Sequence, residues 1–333
     1  MKYFNSNEIA IVGCGYWGTN IVKTLDALNI KNIICFDNNK QNLNVIFQRF
    51  NHIKTVNNFK KILIDKNIKI VFLAVPSNKL YSYAEKCLIN KKHVFVEKPL
   101  SKIPAKINNL INISNKNGLK LMVGYVYIYN KYISYIHKYI IKKKILGNIK
   151  YIEFNRKNFG PIRKEISSLW DLASHDISIL NFLFRNIEIK KIKFIQNKIN
   201  NSKVSDIYNL NFYIKKIPVN INVSWLYPEK IRQINIIGDK KILLFDELNV
   251  KNPIKIYKIF DKYPSTKNLS IKVFKPQHKI EIVKPFLPKF KNINPLKDEI
   301  KYYLDCVRYN RKIATDGNFA LKICLFLNKF TKS

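Results

Sequence analysis

Three groups of residues in this chain have types and spacings that could do chemistry. The first is Gly13-x-Gly15-x-x-Gly18, which follows the apolar run Glu8–Val12 and opens a helical stretch. Gly13 permits a tight turn, Gly15 lets the backbone approach a pyrophosphate, and Gly18 allows a helix to pack closely on a strand. The helix start adds partial positive charge. Asp37 follows 19 residues after Gly18, at the end of a second apolar run. A carboxylate there binds both ribose hydroxyls and repels a 2′-phosphate, so the cofactor expected is NAD, with NADP disfavoured. The second group is Glu97-Lys98-Pro99, at the end of the run His93–Glu97. In open α/β sheets ligands collect at the carboxyl ends of strands, and a lysine there can stabilise a substrate oxygen as it becomes an alkoxide. The third is Asp171-x-x-x-His175, which puts a carboxylate and an imidazole on one helix face as a general acid/base pair. No second His or Cys stands at ligand spacing to either, so no metal is expected.

Those residues need positioning by two kinds of architecture. Through residue 124, short apolar runs at 8–12, 32–36, 68–75, 93–97 and 120–124 alternate with helical stretches near 40–50, 57–66, 78–90 and 103–117. That pattern predicts a doubly wound parallel sheet covered on both faces, a Rossmann domain over 1–124. A helix near 130–143 follows. Strands are then predicted at 149–158, 190–198, 207–215, 218–225, 231–237 and 241–245, with a helix at 171–185. Strands in succession imply an α+β domain over 125–296 built on a mixed or antiparallel open sheet. Its stretch 261–296, rich in Pro and Lys, reads as irregular. Helices at 297–310 and 317–330 close the chain over 297–333 and are expected to return toward the first domain.

Composition bounds the function classes. The chain has 333 residues and a formal net charge of +38, with 60 Lys+Arg of which only seven are Arg. Residues 1–124 carry a net +13 and residues 125–333 a net +25, so the charge is even along the chain. Even, lysine-borne charge alongside 53 Ile reads as compositional bias over a solvated surface, so no nucleic-acid partner is expected. The five cysteines show no paired spacing, and Cys14, Cys35 and Cys87 fall in apolar runs, as in a cytoplasmic protein with core thiols. No apolar run reaches membrane-spanning length, so no membrane partner is expected.

The glycine turn, Ala74-x-Pro76, Glu97-Lys98-Pro99 and Asp171-x-x-x-His175, in that order, resemble the Gfo/Idh/MocA (glucose–fructose oxidoreductase/inositol dehydrogenase) family of NAD(P)-dependent sugar and cyclitol dehydrogenases. Asp316-Gly317 before the closing helix fits as well. Gly15-Tyr16-Trp17-Gly18, Asn155-Arg156-x-Asn158-x-Gly160-Pro-Ile-Arg163 and Leu169–Ser178 are similar to members acting on nucleotide-linked amino sugars. The nearest type is the UDP-N-acetylglucosamine (or its uronate) 3-dehydrogenase, which serves surface-polysaccharide synthesis. The resemblance implies cofactor contacts at Gly13, Gly15, Tyr16, Trp17, Gly18, Asp37, Ala74, Pro76, Glu97 and Lys98. It implies catalysis by Lys98, Asp171 and His175, with Lys98 and His175 interchangeable as base. Substrate contacts are implied at Lys98, Asn155, Arg156, Asn158, Arg163, Asp171 and His175, where guanidinium forks suit a diphosphate or carboxylate. It also implies a homodimer or homotetramer built on the open sheet, whose exposed face reads as rich in Ile, Phe and Tyr. A free-sugar or inositol dehydrogenase and a non-catalytic NAD-binding regulator are the competing readings. Two positions depart from the family pattern: Leu80 stands where a His is common, and Ser174 where Gly or Pro is.

Overall fold

The computed structural model describes residues 8–163, 165–185, 187–199, 203–261, 278–283, 290 and 293–331. The chain divides into two compact units, residues 1–130 with 293–333, and residues 131–292.

The first unit is a six-stranded, wholly parallel sheet. Its strands are β1 (Ile9–Val12), β2 (Ile33–Phe36), β3 (Lys54–Val56), β4 (Ile70–Leu73), β5 (His93–Glu97) and β6 (Leu121–Gly124), in the order β3-β2-β1-β4-β5-β6. Every residue of β1, β2, β4 and β6 is buried, as continuous apolar runs require when helices cover both faces. The helices are α1 (Tyr16–Asp26), α2 (Lys40–Arg49), α3 (Phe59–Ile64), α4 (Ser77–Ile89) and α5 (Pro104–Lys116). A 3-10 turn, Val126–Tyr129, follows β6. Sequence reasoning missed β3, because Lys-Thr-Val at a sheet edge has two exposed residues and no apolar run.

Register decides where the chemistry gathers. Phe36, Val12, Leu73, Val96 and Val123 form one row across the sheet. One residue further on, at the carboxyl edge, come Asp37, Gly13, Ala74, Glu97 and Gly124.

The second unit contains a short helix, α6 (Lys131–Tyr135), that runs into a π-helical segment, Ile136–Ile141, where one α-helix had been predicted. Its sheet has eight strands: β7 (Ile149–Phe159), β8 (Ile189–Asn197), β9 (Ile207–Ile214), β10 (Ile217–Ser224), β11 (Leu226–Gly238), β12 (Lys241–Asp246), β13 (Ile254–Asp261) and β14 (His278–Val283). They lie in the order β14-β13-β12-β11-β7-β10-β9-β8, antiparallel except for the parallel pair β7 and β10. The helix α7 (Ser174–Phe184) also belongs to this unit. Of the predicted irregular stretch 261–296, residues 278–283 are strand, while 262–277, 284–289, 291 and 292 lie outside the described residues.

The last helices, α8 (Pro295–Arg308) and α9 (Gly317–Asn328), belong to the first unit. Tyr303 of α8 is fully buried, with its ring 5.6 Å from those of Phe72 and Phe95.

Candidate active site

On the first unit the candidate cofactor site is built at the carboxyl edge. Gly13 has φ +91°, a left-handed conformation that favours glycine, and a Cβ there would stand 2.6 Å from the Ala74 carbonyl oxygen. A Cβ at Gly18 would collide with the Gly13 carbonyl, so the helix packs on the turn only because position 18 lacks a side chain. Gly15 has open space where its Cβ would be, and it caps α1 with no side-chain hydrogen bond. An uncapped helix start facing an open glycine is the cradle that a pyrophosphate fits. Tyr16 and Trp17, 79% and 40% exposed, flank that start in an edge-to-face pair.

Asp37 is held by the turn itself. Its Oδ2 accepts from the Cys14 backbone N–H at 2.7 Å and from Asn42 Nδ2 at 3.0 Å, and its Oδ1 accepts from the Asn39 N–H at 2.7 Å. The Ala74 N–H donates to the Val12 carbonyl at 2.9 Å, which fixes the segment leading to exposed Pro76 at the start of α4. Glu97 ends β5 and Lys98 follows it, and the Lys98–Pro99 peptide is cis. Burial pushes the Glu97 carboxyl up to about 7, against the opposing effect of Lys98. Leu80, where the family commonly has His, is a buried core residue of α4.

On the second unit Asp171 lies in a π-helical turn, Leu169–Ala173, that leads directly into α7 and His175. Such turns favour functional sites, and in this i→i+5 geometry a spacing of four still keeps both side chains on one side. Arg163 Nε stands 3.4 Å from Asp171 Oδ2, with the guanidinium 43% exposed and the carboxylate 17%. The structure therefore brings Arg163, Asp171 and His175 into one neighbourhood.

The remaining substrate candidates are divided. Arg156 is only 4% exposed and donates from Nε to Asp176 Oδ1 at 2.8 Å. That buried ion pair corrects the expectation of a ligand-facing fork, since its guanidinium already answers a protein carboxylate. Asn155 is the next residue on β7 and so points to the opposite face. There it accepts from Asn222 Nδ2 at 3.4 Å within a side-chain network of Asn209, Asn211, Asn220 and Asn222. That face carries this row of amides beside Tyr151, Ile195, Ile207 and Tyr213. Asn158 donates to the Gly160 carbonyl at 2.6 Å and accepts from Arg232 Nη2 at 2.6 Å.

Sequence reasoning missed Asp176, Arg232 and Glu299. A signal existed for each carboxylate: Asp176 lies about 100° round the helix from His175, and Glu299 shares the buried face of Ile300 and Tyr303. Among the described residues no group of three or more His, Cys, Asp or Glu could hold a metal ion, and no helix is long and apolar enough to cross a membrane.

Residues 7–125 match the Gfo/Idh/MocA family model, described as an oxidoreductase family with an NAD-binding Rossmann fold. Inositol 2-dehydrogenase from Salmonella paratyphi B is 25% identical over 144 residues, 42% of either chain. The Escherichia coli 2,7-anhydro-N-acetylneuraminate hydratase is 25% identical over 47% of this chain and 41% of its own. The match thus spans less than half the length of these curated relatives. Two solved structures share the fold over nearly the whole chain. UDP-N-acetylglucosamine 3-dehydrogenase GnnA from Acidithiobacillus ferrooxidans superposes with a TM-score of 0.77 at 18% identity, covering 96% of this chain and 95% of its own. GenD2 from gentamicin A biosynthesis, solved with NAD, has a TM-score of 0.79 at 16% identity, covering 98% and 94%. The matched segment runs from before β1 to the end of β6, so the row of edge residues lies wholly inside it, and it is over this first domain that the chain is similar to the Gfo/Idh/MocA oxidoreductase family.

Proposed function

We propose that the chain is an NAD-dependent dehydrogenase that oxidises a ring CH–OH of a nucleotide-linked amino sugar or its uronate, acting as a cytoplasmic homodimer or homotetramer in surface-polysaccharide synthesis. The observation that carries this reading is the Arg163–Asp171–His175 cluster, in a chain whose first unit presents Lys98 at the carboxyl end of β5. NAD⁺, when bound, accepts the hydride. Gly13–Gly18 and Asp37 hold and select it, and Lys98 offers a cation to an oxygen becoming an alkoxide. His175 with Asp171 offers an imidazole whose protonated form a neighbouring carboxylate stabilises. Either Lys98 or His175 can be the base. Arg163, half exposed beside Asp171, suits a diphosphate or uronate carboxylate. Likeness to a UDP-sugar dehydrogenase supports the substrate class, and the inositol relatives favour the free-cyclitol alternative.

The test is NAD reduction across UDP-sugars and free inositol. A UDP-amino sugar or its uronate is expected to turn over, and Lys98→Ala and His175→Ala each to lose about 10²-fold or more while still binding NAD. Full activity in both variants would sink the site assignment. Turnover of inositol alone would transfer the reading to a cyclitol, and bound NAD with no turnover would favour a regulator.

A further inference from the structure

Strands β7 and β11 lose their pairing at Asn158. Lys157 pairs with Ile231 and Phe159 with Leu226, so one residue of β7 faces four of β11, residues 227–230. Such a bulge leaves backbone groups outside the ladder and bends the chain. The Arg232 side chain fills it. Its Nη1 donates to the Lys157 carbonyl at 2.9 Å and to the Ile231 carbonyl at 2.7 Å, and its Nη2 donates to Asn158 Oδ1 at 2.6 Å. Asn158 extends that grip along β7, since its Nδ2 donates to the Gly160 carbonyl at 2.6 Å. The Gly160 N–H donates in turn to the carbonyl of fully buried Trp225 at 2.8 Å. Gly160 is therefore held at both of its polar groups, at a φ of +57° that favours glycine. Beyond it residues 161–163 are exposed, and Arg163 Nε reaches Asp171 Oδ2 at 3.4 Å. Three extended residues span about 10 Å, so the place where Gly160 is held decides where Arg163 can reach.

We propose that Arg232 is a positioning residue: through Asn158 and Gly160 it sets Arg163 against Asp171, and so governs how tightly the site takes the anionic part of its substrate. That last step rests on the dehydrogenase reading above, in which Arg163 meets a diphosphate or a uronate carboxylate. The residue type fits the task. A guanidinium carries five donors in one rigid plane, so a single side chain can serve two carbonyls and an amide oxygen at once. A lysine would bring the same charge without the fork. Asn158 is the necessary middle piece, because an amide both accepts from Arg232 and donates to Gly160. With its oxygen and its nitrogen each engaged by the protein, Asn158 acts on the loop that carries Arg163 and not as a substrate contact.

The experiment takes two readouts from the whole chain. The first needs no substrate. Seven arginines contribute Nε–H signals to a proton–nitrogen correlation spectrum, and Arg163→Ala identifies the one from Arg163. In Arg232→Lys and in Asn158→Ala that signal should shift and exchange with water several-fold faster, as the contact with Asp171 loosens. A signal unmoved in both variants would overturn the brace. The second readout is steady-state kinetics with the UDP-sugar that turns over. KM should rise about tenfold in each variant with kcat nearly kept, the mark of lost binding that ground and transition states share. Arg163→Ala should raise KM at least as much, and adding Arg232→Lys to it should cost little more, because both act through one contact. Additive losses would show that Arg232 acts apart from Arg163 and would overturn the proposal. An unchanged KM in Arg232→Lys would do the same, since charge without the fork would then suffice. A shifted Arg163 signal with an unchanged KM would reduce Arg232 to a structural brace and overturn its hold on substrate binding. If Arg232→Lys does not fold, Asn158→Ala carries both readouts. If no sugar reduces NAD, the Arg163 signal still decides the brace, so the two readings fail separately.

Discussion

A carboxylate that already accepts from the glycine turn has two tasks at once. Asp37 ties the Cys14 N–H and the start of α2 together, and in the function proposed above it also takes the ribose. Its position could be read from spacing alone, because the second strand of a βαβ unit ends where its register with the first dictates. Its hydrogen bonds to the turn could not, since they come from backbone groups that carry no sequence signature. Asp37→Ala should weaken NAD binding by about tenfold or more, the scale of a lost charge-assisted hydrogen bond. It should also narrow the preference for NAD over NADP, because the repulsion of a 2′-phosphate goes with the charge. Calorimetric Kd values for both cofactors check this, and an unchanged ratio with weaker binding would leave Asp37 only the task of holding the turn. Arg156 shows the opposite case. Its rarity in a lysine-rich chain marked it correctly as special, but rarity cannot tell a ligand fork from a core ion pair.

Elements were legible where burial forces one pattern. Strands β1, β2 and β4 run between two helix layers and are continuously apolar. The short edge strand β3 is not, and β13 and β14 extend the second sheet beyond the strands read from sequence. The π-helical turn at Leu169–Ala173 was read as ordinary α-helix, because a single i→i+5 turn inserts no residue type that marks it. That junction leaves His175 half exposed and sends Asp176, its neighbour, into the core against Arg156 on β7. The pair joins helix to sheet beneath the candidate acid/base residues. Burial raises the Asp176 pKa and the Arg156 charge opposes that rise, so the carboxylate depends on its partner. Replacing one member should destabilise the fold by about 3–5 kcal/mol, while replacing both with apolar residues should cost far less. Denaturant unfolding of Asp176→Ala, Arg156→Leu and the double variant measures this. A double-variant loss equal to the sum of the two single losses would mean that the pair does not act as a unit.

At the scale of the whole molecule the +38 charge is not assigned to any one residue, and it is spread evenly along the chain. The field of such a charge acts on encounter before it acts on fit. NAD and a nucleotide sugar both carry diphosphates, whereas inositol and free neutral sugars carry no charge. The Debye length falls from about 10 Å at 0.1 M salt to about 3 Å at 1 M, so added salt removes long-range attraction and leaves short contacts in place. Association of an anionic ligand should therefore slow several-fold between low and high salt, with its dissociation rate changing less. Stopped-flow binding of NAD and of a UDP-sugar, with a neutral sugar as control, measures the effect. A neutral ligand that slows as much as the anionic ones would show that salt acts on the protein rather than on the encounter. If only the anionic ligands slow, the lysine excess has a kinetic role that needs no defined binding patch. Such a role is also compatible with a charge that arose as compositional bias, because attraction of this kind depends on the sum of charges and not on their arrangement.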